Sequence, residues 1–325
     1  MGNTDKVMEL SDAVERFVHD GALISLGGFS ATQCPMAAVH EIIRRSVRDL
    51  HLAACSNGQA VDELVGGGCV ARVDIAYGGN GRFAPTCFRF RRSAENGEIA
   101  VEDYSNYQMT LRFMAGAMGV PFLPTYTSLG TDIVSKWGYS EENRRQDPRL
   151  PLSKLVLMDN PFNRTKQVDR LVLVPALQPD VTILHAQKAD RSGNVQLLGL
   201  LFSDVEQAKA SKEVIITCEQ IVETEELRKN PDKNQILSFQ VSAVVEVPWG
   251  AYPCALYGYY DYDPWFLRDL YQKVARDDSL WQDYLDKYVL GVKNREEFLE
   301  LIGPERLQGL RADEQVGYNP NLNRR

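Results

Sequence analysis

Residues 20–35 read DGALISLGGFSATQCP. A short apolar run, Ala22 to Leu26, breaks at Gly27-Gly28-Phe29, and after a polar loop Pro35 opens a helical pattern. The stretch predicts a strand, a glycine turn and a helix start. Adjacent glycines accept positive φ and let a ligand approach the backbone closely. Amides at the following helix start suit an anionic oxygen. The same glycines also fit a tight βα turn that holds no ligand.

Working outward, Ser11 fits an N-cap, with Ala13, Val14, Phe17 and Val18 on one helical stripe that Gly21 ends. Downstream, Pro35 suits a first helical residue. Ala38, Val39, Ile42 and Ile43 form its buried stripe, and Leu50 to Ala54 reads as the next strand. The alternation continues with a loop at 55–58, a helix at 61–65 and a strand at 70–77 that ends in Gly78-Gly79-Asn80-Gly81. An arginine-rich helix, a strand at 99–101 and a helix at 107–118 follow. Such alternation predicts an α/β fold, an open, mainly parallel sheet with helices on both faces. Residues 124–170 lack periodicity and read as an irregular insertion, a lid or an interface. Strands resume at 171–174, 181–184, 214–218 and 241–247. We therefore expect an α/β domain over 1–263 and a helical C-terminal extension over 264–325. That extension has two aromatic stripes, Trp265, Phe266, Leu270, Val274 and Trp281, Tyr284, Leu285, Tyr288, suited to packing or to a subunit contact.

The 325 residues carry a net charge of −8 with both signs interspersed. That pattern argues against nucleic acid or an anionic membrane as the main partner. Six cysteines without a CxxC pair read as free thiols of a reducing compartment. No apolar run approaches the roughly 20 residues of a spanning helix, and no signal peptide opens the chain. Met1-Gly2 is not followed by the serine or threonine of an acylation signal, because Lys6 stands there. The expected location is cytoplasmic. Four histidines without ligand spacing predict no metal.

The string 20–35 resembles the signature of family I CoA-transferases, in Asp20-Gly21, the strand Leu23 to Leu26, Gly27-Gly28-Phe29 and Pro35, with Ser25 departing from an otherwise apolar strand. Further blocks are similar to the alpha chain of the glutaconate CoA-transferase branch, in order from about Lys6 to Asp263. They are VEDYS (101–105), GVPFLP (119–124), MDNPF (158–162), HAQKADRSGNV (185–195), TCEQIVETEELRKNPDKN (217–234) and YGYYDYD (257–263). The resemblance implies an acyl-CoA and a carboxylic acid as substrates, with coenzyme A as a substrate thioester and no permanently bound cofactor. It implies a CoA-transferase beta subunit as partner, in a heterodimer or a higher assembly such as α2β2 or α4β4. It also implies covalent catalysis by a glutamate, passing through a mixed anhydride and an enzyme thioester, with amides stabilising the oxyanions. In two-subunit members that glutamate lies on the beta chain in a Ser-Glu-Asn-Gly motif. Ser93-Ala94-Glu95-Asn96-Gly97 is close but carries an extra alanine and has no strand before it, so it reads as a helix end and the nucleophile is expected on another polypeptide.

Glu102 and Asp103 are the candidate acids, at the end of a strand where open α/β sheets bind ligands. In related branches, a steroid ring-opening hydrolase among them, an alpha-chain glutamate near this position resembles the catalytic acid or base. Asp103 or Ser105 could equally cap the next helix. Gly79-x-Gly81-x-x-Ala84 with Asp103 about twenty residues on fits a loose dinucleotide fingerprint, although Arg82 and Pro85 suit it poorly. We read Gly78, Gly79, Asn80, Gly81 and Arg82 as a second loop beside Gly27, Gly28 and Phe29. Asn80-Gly81-Arg82 replaces the Asn-Ser-Gly of the glutaconate branch. His185 and Gln187, closing an apolar strand, complete the CoA- and substrate-binding set, although a strand-end histidine is also a common structural residue. The rival functions are a CoA-ester hydrolase of the same fold, a nicotinamide-dependent oxidoreductase and a non-catalytic scaffold subunit.

Overall fold

A computed structural model describes residues 5–165 and 169–323. Met1-Gly2 lies outside the described residues. The first strands are β1 (Leu23–Leu26), β2 (Leu50–Ser56), β3 (Val70–Tyr77) and β4 (Ala100–Asp103), followed by β5 (Phe122–Thr125), β6 (Val156–Asp159) and β7 (Arg170–Pro175). Then come β8 (Val181–Ala189), β9 (Val195–Gln196), β10 (Glu213–Ile221), β11 (Asn234–Ile236) and β12 (Ala243–Glu246). The helices that matter for the site are α1 (Leu10–Phe17), α2 (Met36–Arg44), α3 (Gln59–Gly66), α4 (Phe88–Glu95), α5 (Asn106–Met118), α6 (Glu141–Gln146) and α7 (Asp204–Ala210).

Parallel strands run in the order β12-β10-β8-β1-β2-β3-β4, with short antiparallel β9 and β11 added where β8 runs on past β1. Strand alternation divides the apolar side chains between two layers. Ile24, Leu26, Leu50, Leu52 and Ala54 join the core that includes α2 and α3, whereas Leu23, Ala53 and Cys55 pack with Met109 and Phe113 of α5. From β1 the chain steps through β2, β3 and β4 in one direction, then later places β8, β10 and β12 on the other side. The order therefore reverses between β1 and β8, and the crevice beyond the carboxyl ends there is where such sheets bind ligands.

Several boundaries differ from the sequence reading. Helix α1 begins at Leu10 with Glu9 at its N-cap, and Ser11 lies inside it. Pro35 occupies the N-cap of α2. Strand β2 continues through Ser56, which pairs with Tyr77 of β3, where a loop was expected from Cys55. The stretch 124–170 is not irregular throughout: β5, β7 and β6 form a separate antiparallel sheet, and a Ser140–Asn143 capping box starts α6. It lacked periodicity because β6 is exposed along its whole length and has no buried face. The aromatic stripes of the C-terminal helices turn inward except at Trp265, which is exposed. Phe266, Tyr271, Trp281, Tyr284 and Tyr288 belong to the same core as α2 and α3, and Trp281 donates to the Gly66 carbonyl at the end of α3 (2.9 Å). All six cysteines are buried free thiols.

Candidate active site

The parallel strands β1, β2 and β3 deliver three turns to one edge, and side chains stitch these turns together. Gly27 donates to Ile183 of β8 (3.0 Å), while a Cβ at this position would run into Leu184 and approach Asp204. Gly28 has φ +86°, and a Cβ there would meet Thr32 O at 2.6 Å and Cys34 N at 2.7 Å. Only glycine fits such a closed left-handed turn. The Ser30 amide donates to Ser56 O (2.7 Å) and its hydroxyl to Gly79 O (3.2 Å). Asn57 Nδ2 donates to Gly27 O (3.1 Å), and Asn80 Nδ2 donates to Gln59 Oε1 (2.9 Å) across the face of Gly58. Phe29 lies against Phe202 with ring centroids 4.9 Å apart.

What this edge leaves uncommitted is acceptor and donor capacity. Asn57 and Asn80 are buried, yet their Oδ1 atoms have no partner among the described residues. Among the described residues, the Gly79 and Gly81 amides donate to no backbone acceptor. Gly81 is open, its nearest obstacle to a Cβ being Ser30 Oγ at 3.8 Å. Asp204 at the start of α7 accepts the Gly28 amide (2.9 Å). Burial pushes its carboxyl up to about 7, against the lowering effect of that amide.

The β4 edge is different, because its carboxylates are matched by donors of the same chain. Glu102 is 1% exposed and accepts from Tyr104 Oη (2.7 Å), the Tyr139 amide (2.9 Å) and Arg144 Nη2. Asp103, with a half-exposed side chain, pairs with Lys154 (2.5 Å). Next to them Asp74 accepts from Arg112 (2.6 Å) and Tyr139 (2.5 Å) and lies 3.0 Å from His51 Nε2. Burial pushes the Asp74 carboxyl up, but Arg112, His51 and Tyr139 together outweigh it and hold it well below the usual range.

A model of the family described as Coenzyme A transferase matches residues 7–246. The chain belongs to the Coenzyme A transferase family. It is 38% identical to the A subunit of glutaconate CoA-transferase from Acidaminococcus fermentans, over 98% of both chains. The crystal structure of glutaconate coenzyme A-transferase from that organism superposes with a TM-score of 0.91, covering 97% of this chain and 98% of that one. The A subunit of 3-oxoadipate CoA-transferase from Pseudomonas knackmussii is 33% identical over 90% of this chain and 96% of its own length. This member of the family is therefore an A-type CoA-transferase subunit.

Within this Coenzyme A transferase, the two glycine loops read from the sequence come together at one edge. The other predicted residues do not join them as free groups. Glu102 is buried among three donors, and Ser105, not Asp103, caps α5 in a capping box with Gln108. His185 lies between Thr217 Oγ1 and Glu219 Oε1 (both 2.9 Å), and Gln187 bridges Leu198 and the Tyr257 carbonyl. Both side chains are buried. Arg82 is exposed and donates to Tyr262 Oη (2.7 Å). The dinucleotide fingerprint fails structurally. Asn80 and Ala84 close the loop on itself through a 2.8 Å bond, and α4 starts only at Phe88, so no helix opens from the glycines. Ser93–Gly97 is a helix end, with Asn96 as C-cap and Gly97 at φ +72°. Among the described residues no cluster of His, Cys, Asp and Glu suits a metal, and no helix is long and apolar enough to cross a membrane. Sequence reasoning missed Ser30, Asn57 and Asp204. Asn57-Gly58 after a strand was a usable signal, whereas nothing local ties Asp204 to Gly28, 176 residues away.

Proposed function

We propose that this chain works with a B-type partner subunit to move CoA between an acyl-CoA and a carboxylic acid, with the nucleophilic glutamate on the partner. The observation that carries this reading is the pairing of an edge rich in glycine turns and uncommitted amides with the absence, among the described residues of that edge, of a free glutamate. The partner's carboxylate attacks the thioester carbonyl and expels CoA thiolate, giving a mixed anhydride. The thiolate then attacks the glutamyl carbonyl, releasing the donor acid and leaving a glutamyl thioester. The acceptor carboxylate runs the two steps in reverse.

Here the Gly27–Ser30 and Gly78–Gly81 turns would flank the reacting thioester, the Gly79 and Gly81 amides facing the developing oxyanion. The A-type names of the relatives support the two-chain arrangement. Both acids in those names are dicarboxylic, and exposed Arg82, without a carboxylate partner among the described residues, suits a second carboxylate. The burial of Glu102 among three donors, Arg144 included, weighs against the hydrolase reading, which needs a base beside the thioester. We place the complex in the cytoplasm, in keeping with six unpaired thiols.

The test is to express the chain alone and together with the product of the adjacent reading frame. Alone it should show negligible transfer; the complex should transfer CoA only when an acceptor acid is present, with a hydroxylamine-trappable thioester on the partner. Full activity of the single chain, or acyl-CoA consumption that needs no acceptor, would overturn the reading.

A further inference from the structure

A continuous buried hydrogen-bond path leads from the second glycine loop to the C-terminal helices. Asn80 of the loop donates to Gln59 Oε1 (2.9 Å), and Gln59 Nε2 donates to Glu63 Oε1 (2.6 Å), one turn along α3. Glu63 Oε1 also accepts from Tyr284 Oη (3.0 Å), and Glu63 Oε2 lies 2.8 Å from His40 Nε2 on α2. Gln59 and Glu63 are fully buried, and Asn80 and His40 nearly so. Tyr284 is in turn fixed by stacking on Trp281, with centroids 5.2 Å apart, whose indole is tied to Gly66. A hydrophobic core does not require this line of polar groups, since burying them costs free energy unless every bond is made.

We propose that Gln59 and Glu63 are positioning residues that hold Asn80, and with it the Gly78–Gly81 turn, in its reactive geometry, and that the C-terminal helices set this geometry through Tyr284. The proposal rests on the functional reading above, which puts that turn against the thioester. Asn80 is the loop side chain that enters the path, and its Oδ1 is left free. A shift of Gln59 would therefore tilt the carboxamide across Gly58, where it already sits closer than a Cβ would allow. The neighbouring Ser30–Gly79 bond passes any such shift on to the first glycine loop.

The experiment compares Gln59→Leu and Tyr284→Phe with Tyr252→Phe, in the complex with the B-type subunit. Tyr252 makes a matched buried bond to Asp263 (2.7 Å), outside the path that reaches the loop. Two quantities are read: steady-state kinetics, and hydrogen exchange of the amides of residues 78–84. Gln59→Leu should lower kcat by roughly 10- to 100-fold, the scale of small misplacements at a reacting centre, and Tyr284→Phe by roughly 5-fold. KM for acyl-CoA should stay within about 2-fold in both, while the loop amides exchange at least about 10-fold faster. Tyr252→Phe should lower the Tm about as much as Tyr284→Phe and change neither readout. Unchanged kcat and loop exchange in Tyr284→Phe, or equal losses in Tyr252→Phe, would overturn the proposal. If Gln59→Leu does not fold, Tyr284→Phe decides. A wild-type complex without CoA transfer would defeat the functional reading instead, and the exchange comparison would still judge the path.

Discussion

The β1–β3 edge and the β4 edge end the same parallel sheet, yet they treat polar groups in opposite ways. At β4, and at Asp74 beside it on β3, each carboxylate is matched inside the chain: Glu102 by Tyr104, Tyr139 and Arg144, Asp103 by Lys154, Asp74 by Arg112. At β1–β3, side-chain carbonyls of Asn57 and Asn80 stay unpaired in buried positions, and the buried carboxyl of Asp204 is raised to about 7 by its surroundings. A buried group left unsatisfied costs stability, and these carbonyls lie beside the glycine turns, whereas the unpaired His51 Nδ1 and Gln108 Nε2 near β4 lie away from them. Acidic residues at a strand end are thus a poor guide to the reactive edge here, and unmatched amides a better one.

The largest expected effect comes from Gly28→Val. Its Cβ would strike the Thr32 carbonyl and the Cys34 amide, so the turn itself must rearrange. Transfer should fall by more than about 10³-fold with a clear drop in Tm, so this variant reports on the turn and not on ligand contact alone. Normal turnover would show that the β1 edge is not the reactive one.

Glu102→Gln comes next. It leaves the Arg144 cation buried without its counter-charge, a change that costs roughly 3 kcal/mol, measurable by chemical denaturation. Activity per folded molecule should stay within about 3-fold. A loss of about 10²- to 10⁴-fold with a normal Tm would make Glu102 a general base and reverse the comparison.

Asp204→Asn tests the β1 side by pH. The folded value near 7 exceeds the ordinary 3.8, so the unfolded chain releases its proton first as pH rises. Wild-type stability should therefore fall between about pH 4 and pH 7. At about 1.4 kcal/mol per unit, the shift removes on the order of 4 kcal/mol. The asparagine variant should keep the Gly28 bond and lose this slope in denaturation measured from about pH 4 to 8, so an unchanged slope would assign it to another group. The smallest effect belongs to Asp103→Asn, which breaks a pair with a half-exposed carboxylate. Because Lys154 stays buried without its counter-charge, the change should cost on the order of 2 kcal/mol and leave transfer unaltered; a loss of turnover would bring Asp103 back into the chemistry.

The sequence by itself determined the order of strands and helices through Met118, the glycine turns after β1 and β3, and the family. Each of these is written locally, in apolar periodicity or in contiguous motifs. It also marked Ser93–Gly97 as a helix end. Tertiary structure decided the rest. Glu102 and Asp103 look alike in VEDYS, and only Tyr139 and Arg144, brought back from the insertion, bury one while the other stays half exposed. For His185 and Gln187 the sequence shows only the end of an apolar strand, and it is the fold that brings Glu219 and Tyr257 onto them. The tail's aromatic stripes are the same whether they face a partner or α3, and the Gly66–Trp281 bond turns the second of them toward α3. Burial and long-range hydrogen bonding depend on which segments meet in space, and periodicity along a chain records only that a side chain is buried, not against what.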